Sequence, residues 1–209
     1  MKILNLYCGI GGNRKLWGDS HEITAVEFNK DIAGVYQDLF PNDRVVIGDA
    51  HQYLLDHYKE FDFIWGSPPC PTHSDIRRCG VHRGQYPAKY PDMKLYEEII
   101  LLMHFAPKET KWCIENVKPY YRRPLIPAKE LHRHLFWTNF DITYRDFPDK
   151  RIHSDISGSS EVYGFNLDKY KISNKRKILR NMVNPEIGLH ILNEAMGKRG
   201  KTFDQLSLI

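Results

Sequence analysis

An α/β fold with a parallel sheet is what this sequence predicts, and three observations predict it. Short apolar runs alternate with helical patterns through the first half of the chain. Glycine, proline or an acid stands at the end of one run after another. No internal repeat or low-complexity tract interrupts the alternation. Strands that alternate with helices imply a parallel sheet with right-handed crossovers, and such a sheet binds its ligand beyond the carboxyl ends of the strands.

The elements follow in order. Residues 3–7 read as a strand, and Gly9-Ile10-Gly11-Gly12 as a tight turn, with a short helix expected over 14–17. A second strand is predicted over 22–27 and a helix over 31–39, stopped by Pro41. Residues 45–47 form a third strand, followed by Gly48-Asp49 and a helix over 52–58. The fourth strand, 61–65, runs into Gly66-Ser67-Pro68-Pro69. A long helix over 93–105 and a strand over 112–114 complete the alternation. From 145 to 175 the chain turns polar, with Gly158-Ser159-Ser160, and reads as a loop or small insert. Helical character returns over 175–196.

Composition bounds the function. The chain has 209 residues, 42% hydrophobic and 27% charged, enough for one domain with a real core. Mean hydropathy is −0.52, and no apolar run approaches the ~18–20 residues of a membrane helix. The opening Met1-Lys2-Ile3-Leu4-Asn5 lacks a signal peptide's apolar region, so a cytoplasmic protein is expected. A net charge of +4 permits a polyanionic partner without demanding one. The cysteines, at 8, 70, 79 and 113, form no Cys-x-x-Cys pair, which suggests neither zinc nor a disulfide framework. His132 and His134 lie two residues apart with no acid-cysteine cluster beside them, so no metal is expected.

Several strand ends carry chemistry. Gly9, Gly11 and Gly12 let the backbone turn tightly and approach a ligand. The spacing is neither Gly-x-Gly-x-x-Gly nor a Walker loop, which disfavours a phosphate cradle. Glu27 ends the second strand, where an acid commonly binds ribose hydroxyls, and Asp49 follows the third. Together these three strand ends suggest a nucleoside-containing cofactor. Cys70 sits between Pro69 and Pro71, held rigidly as a nucleophile should be. A free thiol titrates near 8.5, and Arg77 and Arg78 are expected to raise its thiolate fraction. Glu115 closes the fifth strand towards the same edge, placed to protonate or hydrogen-bond a ring nitrogen. Cys8, Cys79 and Cys113 lack such framing and read as structural.

Leu4-Asn5-Leu6-Tyr7-Cys8-Gly9-Ile10-Gly11-Gly12, Pro68-Pro69-Cys70 and Glu115-Asn116-Val117 resemble the motifs of the cytosine-5 DNA methyltransferases. Val26-Glu27-Phe28-Asn29 resembles that family's second motif, and Arg180-Asn181-Met182-Val183-Asn184-Pro185 its closing one. The resemblance covers most of the chain and implies a Rossmann-like S-adenosylmethionine-dependent methyltransferase sheet with helices on both faces. It implies a catalytic core over 1–140, a small insert over 141–174 and a helical segment over 175–209 that completes the core.

The resemblance also implies roles. Glu27 and Phe28 hold the ribose side of S-adenosylmethionine, Asp49 and Ala50 its adenine. The turn from Tyr7 through Gly9, Gly11 and Gly12 takes the methionine end. Pro68, Asn181 and Val183 close the pocket. Cys70 adds to carbon 6 of the pyrimidine, Glu115 bonds its ring nitrogen and amine, and carbon 5 takes the methyl group. A base inside a duplex is flipped out first.

Three departures from the family stand out. Its Gln-x-Arg-x-Arg motif falls on Glu130-Leu131-His132-Arg133-His134, which makes His134, with Arg133 as alternative, the partner of the pyrimidine carbonyl. Cys70 is followed by Pro71-Thr72-His73-Ser74, and the loop beyond carries Arg77, Arg78, Arg83 and Lys89; with Ser74 these are expected to meet phosphates. Lys175 and Arg176 are expected to add backbone contacts. Finally, only about forty residues separate Asn139 from Arg180, where typical members carry a substantial target-recognition domain.

DNA is therefore the expected partner, with RNA or a nucleotide as alternatives. A homodimer or a partner subunit that supplies target recognition is a further expectation. A modified sulfonium donor, such as a carboxylated S-adenosylmethionine, is the alternative cofactor, and Arg14 or the Arg77-Arg78 pair would suit its extra acid. From another class, a catalytically silent nucleic-acid-binding module is the competing reading.

Overall fold

The computed structural model describes residues 1–121, 124–147 and 161–198. Seven strands make one sheet: β1 (Lys2–Leu6), β2 (Glu22–Glu27), β3 (Arg44–Ile47), β4 (Phe63–Gly66), β5 (Lys111–Val117), β6 (Lys129–Leu131) and β7 (His134–Thr138). Their order is β3-β2-β1-β4-β5-β7-β6. The first five are parallel, and β7 runs antiparallel between β5 and β6. β8 (Glu161–Val162) and β9 (Phe165–Asn166) form a separate hairpin. The expected Rossmann-like architecture is thus present, with an antiparallel hairpin added at one edge. The strand order reverses between β1 and β4, and a crevice opens at such a reversal.

Side-chain alternation divides the core between the two faces of the sheet. Leu4, Leu6, Val26, Ile64 and Ile114 point one way, against Leu54 of α2 (Ala50–His57) and Leu95, Ile99 and Leu102 of α4 (Lys94–Phe105). Ile3, Ile23, Phe63, Trp65 and Cys113 point the other way, against Ile187, Ile191 and Leu192 of α6 (Pro185–Ala195). Tyr36 of α1 (Lys30–Leu39) covers Ala25 and Cys8 on that second face. Each such Leu or Ile contributes roughly 1.5–3 kcal/mol by leaving water.

Caps fix where the helices begin. Asn29, Asp49 and Asn184 accept amide hydrogens from the first turns of α1, α2 and α6, and Pro185 opens α6. Each helix starts two or three residues beyond a strand or turn, so the cap also sets where that strand end faces.

Several expectations are corrected. Residues 14–17 form turns instead of a helix, with Trp17 N–H donating to the Arg14 carbonyl (2.9 Å). Arg14 is drawn inward, and its guanidinium donates to Asp43 (2.8 and 3.0 Å) and Asp19 (3.1 Å). Residues 75–82, read as a loop, form α3 (Asp75–His82), because Ser74 caps it and Asp75 and His82 suit its two ends. Its few apolar residues left no periodic signal. The run from Glu130 to His134 is a hairpin with a two-residue turn, His132 sitting at φ 57°. The helical stretch after 175 is two helices, α5 (Lys175–Asn181) and α6. Residues 148–160 of the insert, with Gly158-Ser159-Ser160, and residues 199–209 of the C-terminal segment lie outside the described residues. Among the described residues no helix is long and apolar enough to cross a membrane.

Gly188 marks where α6 meets the start of the chain. A methyl group there would stand 2.2 Å from the Asn13 carbonyl oxygen, which is backbone and cannot yield. Gly34, in α1, has open space around it. Gly188→Ala should therefore cost about 1–3 kcal/mol, while Gly34→Ala should add about 0.5–1 kcal/mol by restricting the unfolded chain. Thermal unfolding of the two variants should move in opposite directions.

Candidate active site

Beyond the carboxyl ends of β1, β4 and β5 lies a cavity of about 470 Å³. Gly9 and Gly12 line it from the turn after β1, Ser67 to Cys70 from the turn after β4, and Glu115 and Asn116 from β5. His134 enters from β7, and Lys177, Asn181 and Val183 close the far side. A second cavity of about 350 Å³ adjoins it, lined by Glu27, Phe28, Asp49, Ala50 and Lys94. Tyr7 and Pro68 border both. Residues spread over 177 positions of sequence, from Tyr7 to Val183, thus face one crevice.

Gly12 permits that closure. A Cβ on Gly12 would stand 2.0 Å from Met182 Cγ and 2.7 Å from the Val183 carbonyl, so only glycine admits the C-terminal segment here. Gly11 lies outside the cavity and presses instead on Tyr36 and Phe40, at φ 83°. Its part is to shape the turn.

The smaller cavity has the features of a nucleoside cradle. Glu27 accepts from the Gly9 amide (3.1 Å) with one oxygen and from the Asn29 amide (2.9 Å) with the other, which fixes its carboxylate at the cavity edge. Phe28 beside it is 80% exposed, a flat apolar ring against which nothing packs fully. Asp49 caps α2 and lies 3.6 Å from Lys94. Burial pushes the carboxyl up, but the His51 amide and Lys94 outweigh that and hold it below its ordinary range. An exposed ring between two anchored carboxylates fits a purine nucleoside, and so fits the donor that the sequence implies.

Tyr7 stands in the left-handed region at φ 54°, costly for a non-glycine residue. Its hydroxyl donates to Glu98, which is buried and also 2.9 Å from His51 Nδ1. Burial pushes the Glu98 carboxyl up, against the two hydrogen bonds, and pushes the Tyr7 phenol up as well. This triad pins the start of the glycine turn to α4. Neither Glu98 nor His51 was singled out from sequence; an acid inside an amphipathic helix gives no signal of its partner.

On the other side of the crevice, Cys70 is half-buried. Burial and the neighbouring Glu115 push its thiol up, and Lys177 and Arg133 only partly offset this. The expected help from Arg77 and Arg78 is absent. Arg77 lies over the Tyr86 ring and donates to the Pro87 carbonyl (3.1 Å), and Arg78 pairs with Asp75 (2.7 Å). Glu115 is buried, and burial pushes its carboxyl up to about 7 despite the Ser67 hydroxyl and the Arg133 charge. His134 Nδ1 lies 3.1 Å from Glu115 Oε1 without hydrogen-bond alignment. Burial, then the Arg133 and His132 charges, pull His134 down to about 3, so its ring is neutral. Arg133 turns instead to the Arg180 carbonyl (3.2 Å). His134 is therefore the member of its motif that faces the cavity.

Other expected residues divide. Ser74 caps α3, and Arg83 is exposed with no ion pair among the described residues. Lys175 donates to the Asp168 carbonyl (3.3 Å), and Arg176 is likewise outside the cavity lining; the cation of that run that lines it is Lys177. Arg14 is consumed by Asp43 and Asp19, so it cannot serve an acidic donor. Asn116 donates to the Pro68 carbonyl (2.9 Å) and Trp65 Nε1 donates to Ser67 Oγ (2.8 Å), ties that hold the Pro-Pro-Cys turn to β5 and β4.

Residues 1–119 match the sequence profile of the C-5 cytosine-specific DNA methylases, more than half of the chain. The chain belongs to that family. In this methylase-family chain the matched part contributes the glycine turn, Cys70 and Glu115. His134, Lys177, Asn181 and Val183, which line the same cavity, come from beyond it. Among solved structures, a putative methyltransferase of Escherichia coli is 16% identical over 66% of this chain and 73% of its own, with a TM-score of 0.41. A hypothetical protein of Thermus thermophilus is 14% identical over the same shares, with a TM-score of 0.45. A variant of DNMT2 from Spodoptera frugiperda is 27% identical over 56% of this chain and 35% of its own, with a TM-score of 0.38. No curated protein matches the chain.

The raised carboxyl of Glu115 has a stability consequence. Its folded value near 7 exceeds its ordinary 4.5, so the contribution is fully present below about 4.5 and is lost as pH rises through 7. Glu115→Gln removes that loss. The variant should gain in melting temperature relative to wild type at pH 8, by an amount equivalent to on the order of 2–3 kcal/mol, and the gain should shrink towards pH 4.5.

Proposed function

We propose that this protein transfers a methyl group from S-adenosylmethionine to carbon 5 of cytosine in DNA through a covalent adduct of Cys70. The observation that carries this reading is that Cys70, from the turn after β4, and Glu115, from β5, line one cavity that adjoins a nucleoside cradle. When bound, the donor supplies an electrophilic methyl group on a sulfonium. Glu27 would hold its ribose hydroxyls, Phe28 would stack on its adenine, Asp49 would accept from the adenine amine, and the Gly9–Gly12 backbone would face its methionine end.

The chain's own groups do the rest. Cytosine is a poor nucleophile at carbon 5, and bonding a sulfur to carbon 6 makes it a good one. Cys70 Sγ forms that bond. Glu115 places its proton on ring nitrogen 3 and takes up the negative charge that the ring would otherwise carry. His134, uncharged, offers a hydrogen bond to the pyrimidine carbonyl, which is weaker than a guanidinium would give. After carbon 5 is methylated it releases its proton to water, the Sγ–carbon 6 bond breaks to restore the thiolate, and ring nitrogen 3 returns its proton to Glu115.

Cys70 and Glu115 are electrostatically coupled, and between the titration of Glu115 near 7 and that of the thiol the pair holds one proton. Addition needs that proton on Glu115 and the charge on Cys70. Below about pH 7 the pair holds two protons. Hence kcat/KM should fall as pH drops below 7; Glu115→Gln should remove most of the rate and replace the level region above 7 by a rise that continues to the thiol's own titration.

Nucleoside mass spectrometry on DNA and RNA from cells that express wild type or Cys70→Ala tests the reading. A Cys70-dependent 5-methylcytosine peak in DNA is expected. A Cys70-dependent peak of another mass would overturn the donor, one in RNA the polymer, and no new peak the activity. Calorimetry with S-adenosylhomocysteine tests the cradle apart from turnover: Glu27→Ala should weaken binding at least tenfold.

A further inference from the structure

Between Thr72 and Asp92 the chain leaves the sheet and returns to the point it left. His73 Nε2 lies 2.9 Å from the Asp92 carbonyl, and the Asp92 amide donates to Thr72 Oγ1 (2.9 Å). His73 is buried, and its other ring nitrogen is 3.0 Å from the Tyr121 hydroxyl. The His73 and Ser74 amides both donate to the Cys70 carbonyl (3.0 and 3.1 Å). The base of this excursion is therefore clamped directly beside the nucleophile.

The excursion is an ordered arm. It contains α3, and Gln85 N–H donates back to the Gly80 carbonyl (2.9 Å). Tyr86 packs on Gly80, where a Cβ would stand 2.5 Å from the ring, and Arg77 lies over its other side, 4.8 Å from the centroid. Yet every residue from His82 to Tyr90 is exposed. Tyr90 is 95% exposed and Ile76 78%. Both are large apolar groups in water beside two cations, Arg83 and Lys89, that make no ion pair among the described residues. Of the arm's acids, Asp75 pairs with Arg78, and Asp92, at its base, accepts from the backbone amide of Lys94.

An exposed ring flanked in sequence by unpaired cations suits unpaired nucleotides: a base has a face to stack, and each phosphate meets a charge. A duplex hides its base faces and offers only phosphates to such a surface. Within the methyltransferase reading, on which the inference rests for its target, we infer that the arm from Thr72 to Asp92 binds an unpaired stretch of DNA and leads it to Cys70. A base stacks on Tyr90, Ile76 adds apolar contact, and Arg83 and Lys89 meet the backbone. An already unpaired target need not be flipped out of a duplex.

The test is fluorescence anisotropy with the full chain carrying Cys70→Ala and no donor, so that only non-covalent binding is read. The probes are a labelled twelve-nucleotide DNA strand, its duplex and the same sequence as RNA. The single DNA strand should bind at least tenfold tighter than the duplex. Tyr90→Ala should weaken it about tenfold and leave the duplex unchanged, and Lys89→Ala should flatten the salt dependence by nearly one phosphate. Both side chains are exposed, so melting temperatures should match the parent. Preference for the duplex, preference for RNA, or indifference to Tyr90→Ala with the fold intact each overturns the inference. A missing 5-methylcytosine peak beside intact strand preference would overturn the methyltransferase reading and leave the arm standing.

Discussion

The crevice depends on one close approach. Gly12 has no side chain, and the Met182 side chain and the Val183 carbonyl occupy the space where one would be. That contact brings the segment between α5 and α6 onto the turn that follows β1, so Asn181, Val183 and Lys177 face Cys70 across the opening. Gly188 repeats the device one turn into α6, against Asn13. Two missing methyl groups thus join the last described helices to the first strand, and the sheet edge becomes an enclosed site.

Inside that enclosure the chemistry is dominated by scarce hydration. Cys70, Glu115 and His134 are each shifted towards the neutral form, and burial is the leading cause in all three. A neutral imidazole beside a carboxyl that titrates near 7 forms no ion pair, so His134 does not draw the proton from Glu115. An arginine in place of His134 would draw the carboxylate into an ion pair and hold it deprotonated. The departure from the family's arginine therefore changes what Glu115 is ready to give.

Much of this was legible before any coordinates. Alternation of strands and helices placed β1 to β4 within a residue or two and β5 within three, because buried parallel strands need apolar runs and helices need caps. The strand-end residues Glu27, Asp49, Cys70 and Glu115 were legible for the same reason: topology puts strand ends together. Partnerships made by tertiary contact were not. Arg14 looks like a free cation in sequence, but Asp43, distant in the chain, neutralises it in the core. Arg77 and Arg78 sit near Cys70 in number, yet a helix turns them away from it. The hairpin that carries His134 was hidden because its turn has neither glycine nor asparagine, and His132 adopts the left-handed conformation in their place.

The two strands that border the sheet bear on how this molecule meets its own copies. β3 has four residues and β6 three, the latter Lys129-Glu130-Leu131. Strands this short expose few backbone donors and acceptors, and Lys118 binds Glu130 across the rim of the second. Edge-to-edge strand addition, the commonest route from a folded sheet to an insoluble one, finds little to grip on either border. Through the borders of this sheet, contacts between copies would fall to side chains.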